Sequence, residues 1–165
     1  MPPYTIQEHR HRFAVWTAGR AVARDFTSAQ YVEKAIKAAG LREAIETDRA
    51  FKDQNAFDEW HCVRCKKILA YWEPFSLNTF EKSKTDKGVK SPSFGRAAKV
   101  IAIYLKTMIG LGEVDAHPMQ KHMHPPIDRI LLDNMRTELG YTIKELPKWT
   151  QLTDEQYADV LDIIS

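Results

Sequence analysis

Two short segments of this chain carry residues arranged for chemistry. In Ser91-Pro92-Ser93-Phe94-Gly95-Arg96 a turn containing proline and glycine runs into an alanine-rich apolar stretch. A turn of that kind at a helix start aims backbone N–H groups outward, and with the positive end of the helix dipole they make an anion site. In His124-Pro125-Pro126-Ile127-Asp128-Arg129 a carboxylate falls within the first turn of a helix whose approach the two prolines fix. Asp128 is thereby pre-oriented, as a cap for helix N–H groups or as an acid aimed at a ligand, and the two roles are compatible. The turn 92–96 likewise has two readings, a plain helix start or a grip on phosphate.

Around the first segment lie Lys82, Lys84, Lys87, Lys90, Arg96 and Lys99, with few acids among them, whereas Asp154, Glu155, Asp159 and Asp162 gather at the C-terminal end. A net charge of +2 hides this division. The middle of the chain is where a phosphate backbone would be drawn, or else it is a solvated loop. His117, His122 and His124 precede Asp128, as assistants to it, as phosphate contacts or as plain loop residues. Cys62 and Cys65, with His61 beside them and His122 and His124 far along the chain, offer the thiolate and imidazole groups that zinc takes. A CxxC inside one amphipathic helix, with no second ligand pair, reads instead as two small residues facing a core, so no metal and no other cofactor is expected. No nucleophile elbow, P-loop or dinucleotide fingerprint occurs, which argues against common hydrolases, NTPases and Rossmann enzymes.

The elements that must position these residues are helical by pattern. Over 7–24 apolar residues recur at helical spacing (Ala14/Val15, Ala18, Ala21/Val22), with Gly19 a weak point. Thr27 and Ser28 predict the cap of a second helix with the stripe Tyr31, Ala35 and Ala38/Ala39, ended by Gly40. A short helix over Leu41–Thr47 follows. Asn55 is the expected cap of a core helix burying Phe57, Trp60/His61, Cys65, Ile68/Leu69 and Trp72, stopped by Pro74. Residues 76–91 read as a surface loop. The most apolar helix, 94–109, turns Ile101, Tyr104, Leu105 and Met108 inward and is closed by Gly110 and Gly112. After the irregular, histidine-bearing stretch 113–124 comes a helix over 127–139, ended by Gly140, with the stripe Ile127, Ile130/Leu131 and Met135. Thr153 with Gln156 predicts a capping box for a last helix over 154–163, and Trp149 just ahead of it is an expected packing anchor.

The 165 residues, 44% hydrophobic with four Trp, six Tyr and seven Phe, suffice for one core, so a single all-α domain over 1–165 and a monomer are expected. The longest apolar stretches, such as 100–105, are far shorter than the ~20 residues of a membrane span, and the first residues lack a leader's apolar middle. Two cysteines three positions apart offer no disulfide framework. The expectation is a cytoplasmic protein without a membrane partner.

Taken in order, the two opening segments resemble the helix-hairpin-helix DNA glycosylase superfamily, which includes endonuclease III-like, adenine-mismatch and 8-oxoguanine glycosylases. That family's hairpin reads Leu-Pro-Gly-Val-Gly before a helix, and Pro92, Phe94, Gly95 and Arg96 stand where its Pro, Val, second Gly and frequent Arg fall. After the helix comes a Pro/Ala-Val-Asp segment with the family's essential aspartate, which Pro126-Ile127-Asp128 resembles. The resemblance covers about residues 91–139. It implies a compact helical glycosylase fold, DNA as partner and a role in DNA repair. It also implies phosphate held by Pro92, Ser93, Gly95 and Arg96, with Lys87, Lys90 and Lys99 nearby, and Asp128 as the catalytic carboxylate at the N-glycosidic bond of a flipped-out base. An aromatic residue such as Trp60, Trp72, Tyr104 or Trp149 would then stack on that base.

The departures refine this picture. Ala97 occupies the position of the lysine nucleophile in bifunctional members, so the resemblance implies a monofunctional hydrolase unless Lys99 takes that role. Ser93 replaces the hairpin's first glycine, the interval from Gly95 to Asp128 is long, with 113–124 as an insertion, and no cysteines follow to hold an iron–sulfur cluster. The alternative is a non-catalytic helical module that binds nucleic acid or a protein partner; a third reading is a toxin, antitoxin or phage-related factor acting through protein contacts.

Overall fold

The computed structural model describes residues 4–47, 50–76, 88–111, 117–138 and 148–164. Among these are seven α-helices, three short 3₁₀ turns and one isolated bridge between Ser76 and Val89, with no β-strand. The expectations for Lys82, Lys84, Lys87, Gly112, Leu139 and Gly140 lie outside the described residues.

The first helix, α1 (Ile6–Val22), begins where the Thr5 hydroxyl accepts the Glu8 N–H. Its buried face is Ala14, Ala18, Gly19 and Val22. Residues this small let another helix come close, and α1 packs chiefly on α5 (Phe94–Gly110). Two polar contacts fix that pairing: Tyr104 Oη to His11 Nδ1 at 2.7 Å and Thr17 to Thr107 at 3.1 Å.

The second helix, α2 (Ala29–Ala38), starts at Ser28, whose side chain makes no capping bond. Thr27, expected to cap, instead donates its hydroxyl to the Gly88 carbonyl at 2.7 Å. The Lys90 N–H donates to the Phe26 carbonyl at 2.9 Å. Together these bonds fasten 88–90 across the α1–α2 junction, a few residues ahead of α5. The short α3 (Leu41–Thr47) follows directly after Gly40, whose φ of +63° suits a residue without Cβ.

The long helix α4 (Gln54–Trp72) is capped by Asp53, not Asn55, because the Asp53 carboxylate accepts from the Ala56 N–H at 2.9 Å. Phe57, His61, Cys65, Ile68 and Trp72 form its buried stripe, at the three- and four-residue steps that keep one helix face inward. Apolar on nearly every side, α5 is the central helix and touches α1, α2, α4 and the C-terminal elements. Ile101, Tyr104 and Leu105 are buried in it, and Ile109 takes the inward place expected of Met108, which is half-buried.

Two residues later than expected, α6 (Arg129–Glu138) starts with Asp128 outside it as the cap. The stripe rotates accordingly: Ile130 is 65% exposed, while Ile127, Leu132 and Met135 are buried. The last helix, α7 (Asp154–Ile164), carries the reciprocal capping box, with the Thr153 N–H bonded to Gln156 Oε1 at 3.1 Å and the Gln156 N–H to Thr153 Oγ1 at 3.3 Å. One hydrophobic cluster draws on every α-helix. Among the described residues no helix is long and apolar enough to cross a membrane.

Candidate functional site

The segment 91–96 opens α5 as a capped helix start. Ser93 is the N-cap, with φ −147°, an extended conformation open to any residue, and the left-handed position falls on Ser91 at φ +48°. A serine in place of a hairpin glycine therefore meets no backbone obstacle here. Its Oγ accepts from the Arg96 N–H at 3.2 Å and donates to the Thr150 carbonyl at 2.8 Å. The Gly95 N–H donates to the Leu152 carbonyl at 3.1 Å.

These bonds correct the expectation that the amides of Gly95 and Arg96 face outward toward an anion. The 3₁₀ turn Trp149–Gln151 and Leu152 pack directly on the helix start and supply the acceptors themselves. A Cβ on Gly95 would overlap the Trp149 carbonyl oxygen and come within 3.1 Å of Leu152 Cβ. Gly95 is thus a close-approach glycine for the chain's own C-terminal segment.

What the helix start does present is a pair of cationic side chains beneath an aromatic ring. Arg96 and Lys99, three apart, share a face of α5. The Lys99 ammonium lies 4.2 Å from the Trp149 ring centroid, and the Arg96 guanidinium lies 4.2 Å from the Phe26 ring and 5.9 Å from Trp149. The Nε of Arg96 is buried without a hydrogen-bond acceptor among the described residues. Burial pushes the pKa values of Arg96 and Lys99 down, and at Lys99 the nearby Asp128 acts against that shift.

Asp128 meets Lys99 across this face. One carboxylate oxygen accepts the Leu131 N–H at 3.0 Å as the cap of α6, and the other lies 3.6 Å from Lys99 Nζ. The side chain of Asp128 is 35% exposed and that of Lys99 only 10%. The acid is therefore held on both oxygens yet keeps a solvent-facing side. No protein family, curated protein or solved structure matches this chain. Its chemistry rests on these contacts alone.

The structure brings Ser93, Gly95, Arg96, Lys99 and Asp128 to one corner with Trp149. Pro92 is half-buried at its edge, and Lys90 is exposed on the 88–90 strap. Of the aromatic residues offered as a stacking wall, Trp72 and Tyr104 are fully buried in the core, and Trp60 and Trp149 are half-buried. Only Trp149 touches the corner, through Lys99 and Arg96.

The three loop histidines are engaged elsewhere. His117 Nε2 meets the Ile45 carbonyl at 3.1 Å, and His122 Nδ1 meets Gln54 Oε1 at 3.1 Å. His124 bridges Asp58 Oδ1 at 2.8 Å and the Tyr157 hydroxyl at 3.3 Å, with its ring 4.4 Å from that of His61. This polar knot joins α4, the strap before α6 and α7; His61 and His124 were linked in the sequence only through the zinc alternative, and the part of Asp58 and Tyr157 had no signal there, because the partners lie far apart in the chain. The same is true of Phe26 beneath Arg96. Cys65 is buried with its thiol pKa pushed well up, and Cys62 is half-buried, so both behave as apolar residues. Among the described residues no three His, Cys, Asp or Glu groups converge as a metal site.

Proposed function

We propose that this chain is a DNA-binding protein of the helix-hairpin-helix glycosylase type that hydrolyses the N-glycosidic bond of a modified or mismatched base, with Asp128 as the acting carboxylate. The observation that carries this reading is the doubly held, partly exposed Asp128 carboxylate, 3.6 Å from Lys99 and beside Trp149. A carboxylate in that setting can stabilise the cationic sugar as the bond from C1′ to the base nitrogen breaks, or draw a proton from the water whose oxygen forms the new bond to C1′. The base departs with the bonding electron pair and is protonated. Trp149 is the ring placed to stack on an extruded base, and Arg96 and Lys99 supply positive charge for the flanking phosphates. We assign Lys99 the part of counter-ion rather than nucleophile, since the Asp128 carboxylate 3.6 Å away favours its ammonium form against the burial that lowers its pKa.

The test is incubation with duplexes carrying uracil, alkylated or oxidised bases. Abasic product is expected with at least one lesion, and Asp128→Asn should lower it by roughly 100-fold or more. Borohydride should trap no protein–DNA adduct. A panel without abasic product would refute the reading.

One observation favours a second reading, a non-catalytic helical module that binds nucleic acid or a protein. The Gly95 and Arg96 amides are closed off by Leu152 and Ser93, which leaves the phosphate grip to side chains. A salt-sensitive gel shift indifferent to Asp128→Asn, without excision, would select it.

A further inference from the structure

On the outward side of α1 the residues spaced three and four apart are His9, Arg12, Phe13, Trp16 and Arg20, all exposed. The rings of Phe13 and Trp16 are stacked and nearly parallel, with centroids 5.7 Å apart and an interplanar angle of 20°. Trp16 is 58% and Phe13 41% exposed, although large apolar side chains in a helix ordinarily turn inward. The inward side of α1 is already filled by its small residues against α5, so the two rings have no role in the core.

Charge on this face is mainly positive. Arg12 and Arg20 stand on either side of the ring pair, about 12 Å apart along the helix axis, and Arg24 is exposed just beyond the helix end. The acid of α1, Glu8, lies at the edge of the face and is shared between Arg12 at 2.8 Å and Arg42 at 2.9 Å. Arg24 has only a loose contact with Asp25, at 3.9 Å between side chains more than nine-tenths exposed. Among the described residues Arg20 has no ion-pair partner.

Cations interleaved with exposed stacked rings match a strand of unpaired nucleotides, whose bases offer π-faces and whose phosphates carry regularly spaced negative charge. A membrane surface calls for a broad continuous apolar face instead, and here a single pair of rings lies between arginines. We propose that the outward face of α1 binds an unpaired stretch of nucleic acid, with bases stacking on Phe13 and Trp16 and phosphates meeting Arg12 and Arg20. The inference rests on the nucleic-acid reading above for its class of partner, but its residues are separate from Asp128 and Lys99.

The experiment is a fluorescence-anisotropy titration of the full chain with a labelled oligothymidylate of about 12 nucleotides, at roughly 50 and 200 mM salt. Wild type should bind, and more weakly at the higher salt. Trp16→Ala and Phe13→Ala should each weaken binding on the order of 10-fold, Trp16→Phe should retain most of it, and Arg20→Gln should lower the salt slope by about one. Melting temperatures should be unchanged, because both rings are exposed. Equal binding by wild type and Trp16→Ala would overturn the inference, as would absence of binding by wild type, or binding to phosphatidylserine-containing vesicles in place of the oligonucleotide. Ring-dependent binding without excision of any base would overturn the Asp128 reading alone; excision with ring-independent binding would overturn this one alone.

Discussion

At Asp128 the cap and the ion pair use different oxygens of one carboxylate, so the two roles separate by substitution. Asparagine keeps an acceptor for the Leu131 N–H, whereas alanine removes it. Asp128→Ala should therefore cost about 1 kcal/mol in urea denaturation and Asp128→Asn clearly less, while both abolish any carboxylate chemistry. Equal losses of stability in the two variants would show that the Lys99 pair, and not the cap, is what stabilises. The sequence made Asp128 legible as a capping acid because prolines just before a helix leave few alternatives. It was silent on Lys99 as the partner, since that contact joins residues on different helices and depends on how α5 and α6 pack.

Among the elements, the start of α5 shows the clearest change from expectation. A proline, a glycine and a following apolar helix predict a helix start, and the helix does start there. Whether its amides were open to a ligand depended on Trp149–Leu152, more than fifty residues further along the chain. Gly95→Ala should destabilise by about 1–3 kcal/mol, because a methyl group has to displace backbone rather than a flexible side chain. Tryptophan fluorescence should change with it, as Trp149 is pushed off Lys99. A Gly95→Ala variant as stable as wild type would show that the C-terminal segment is free to move aside. At α7 the sequence was sufficient: Thr153 and Gln156 stand in the spacing that lets each satisfy the other's N–H, and both bonds are present.

On the scale of the whole molecule, α4, α7 and the strap before α6 meet in the knot of His61, His124, Tyr157 and Asp58. Burial holds the pKa of His61 well below the ordinary histidine value of 6.5, with His124 adding to the effect, and lowers that of His124 against the pull of Asp58. The groups facing this pair are Cys65, Phe57 and Asp58 from α4, Phe94 from α5 and Tyr157 from α7. An unfolded chain takes up protons on these imidazoles near pH 6.5 and the folded chain does so only at lower pH, so their contribution is complete above about 6.5 and is lost as pH falls from there. The melting temperature should hold between about pH 7 and 8 and fall between about 6.5 and 5, before most carboxylates titrate. His61→Leu should flatten that fall; a flat profile in wild type would contradict the linkage. The sequence by itself determined that the chain is helical, where most helices begin and end, and which face of α4 is buried, because periodicity and caps are properties of neighbouring residues. Only the tertiary structure decided that the amides at the head of α5 are spoken for, that Lys99 stands beside Asp128 and that Phe13 and Trp16 are left outside, because each depends on which distant segment arrives to fill a given space.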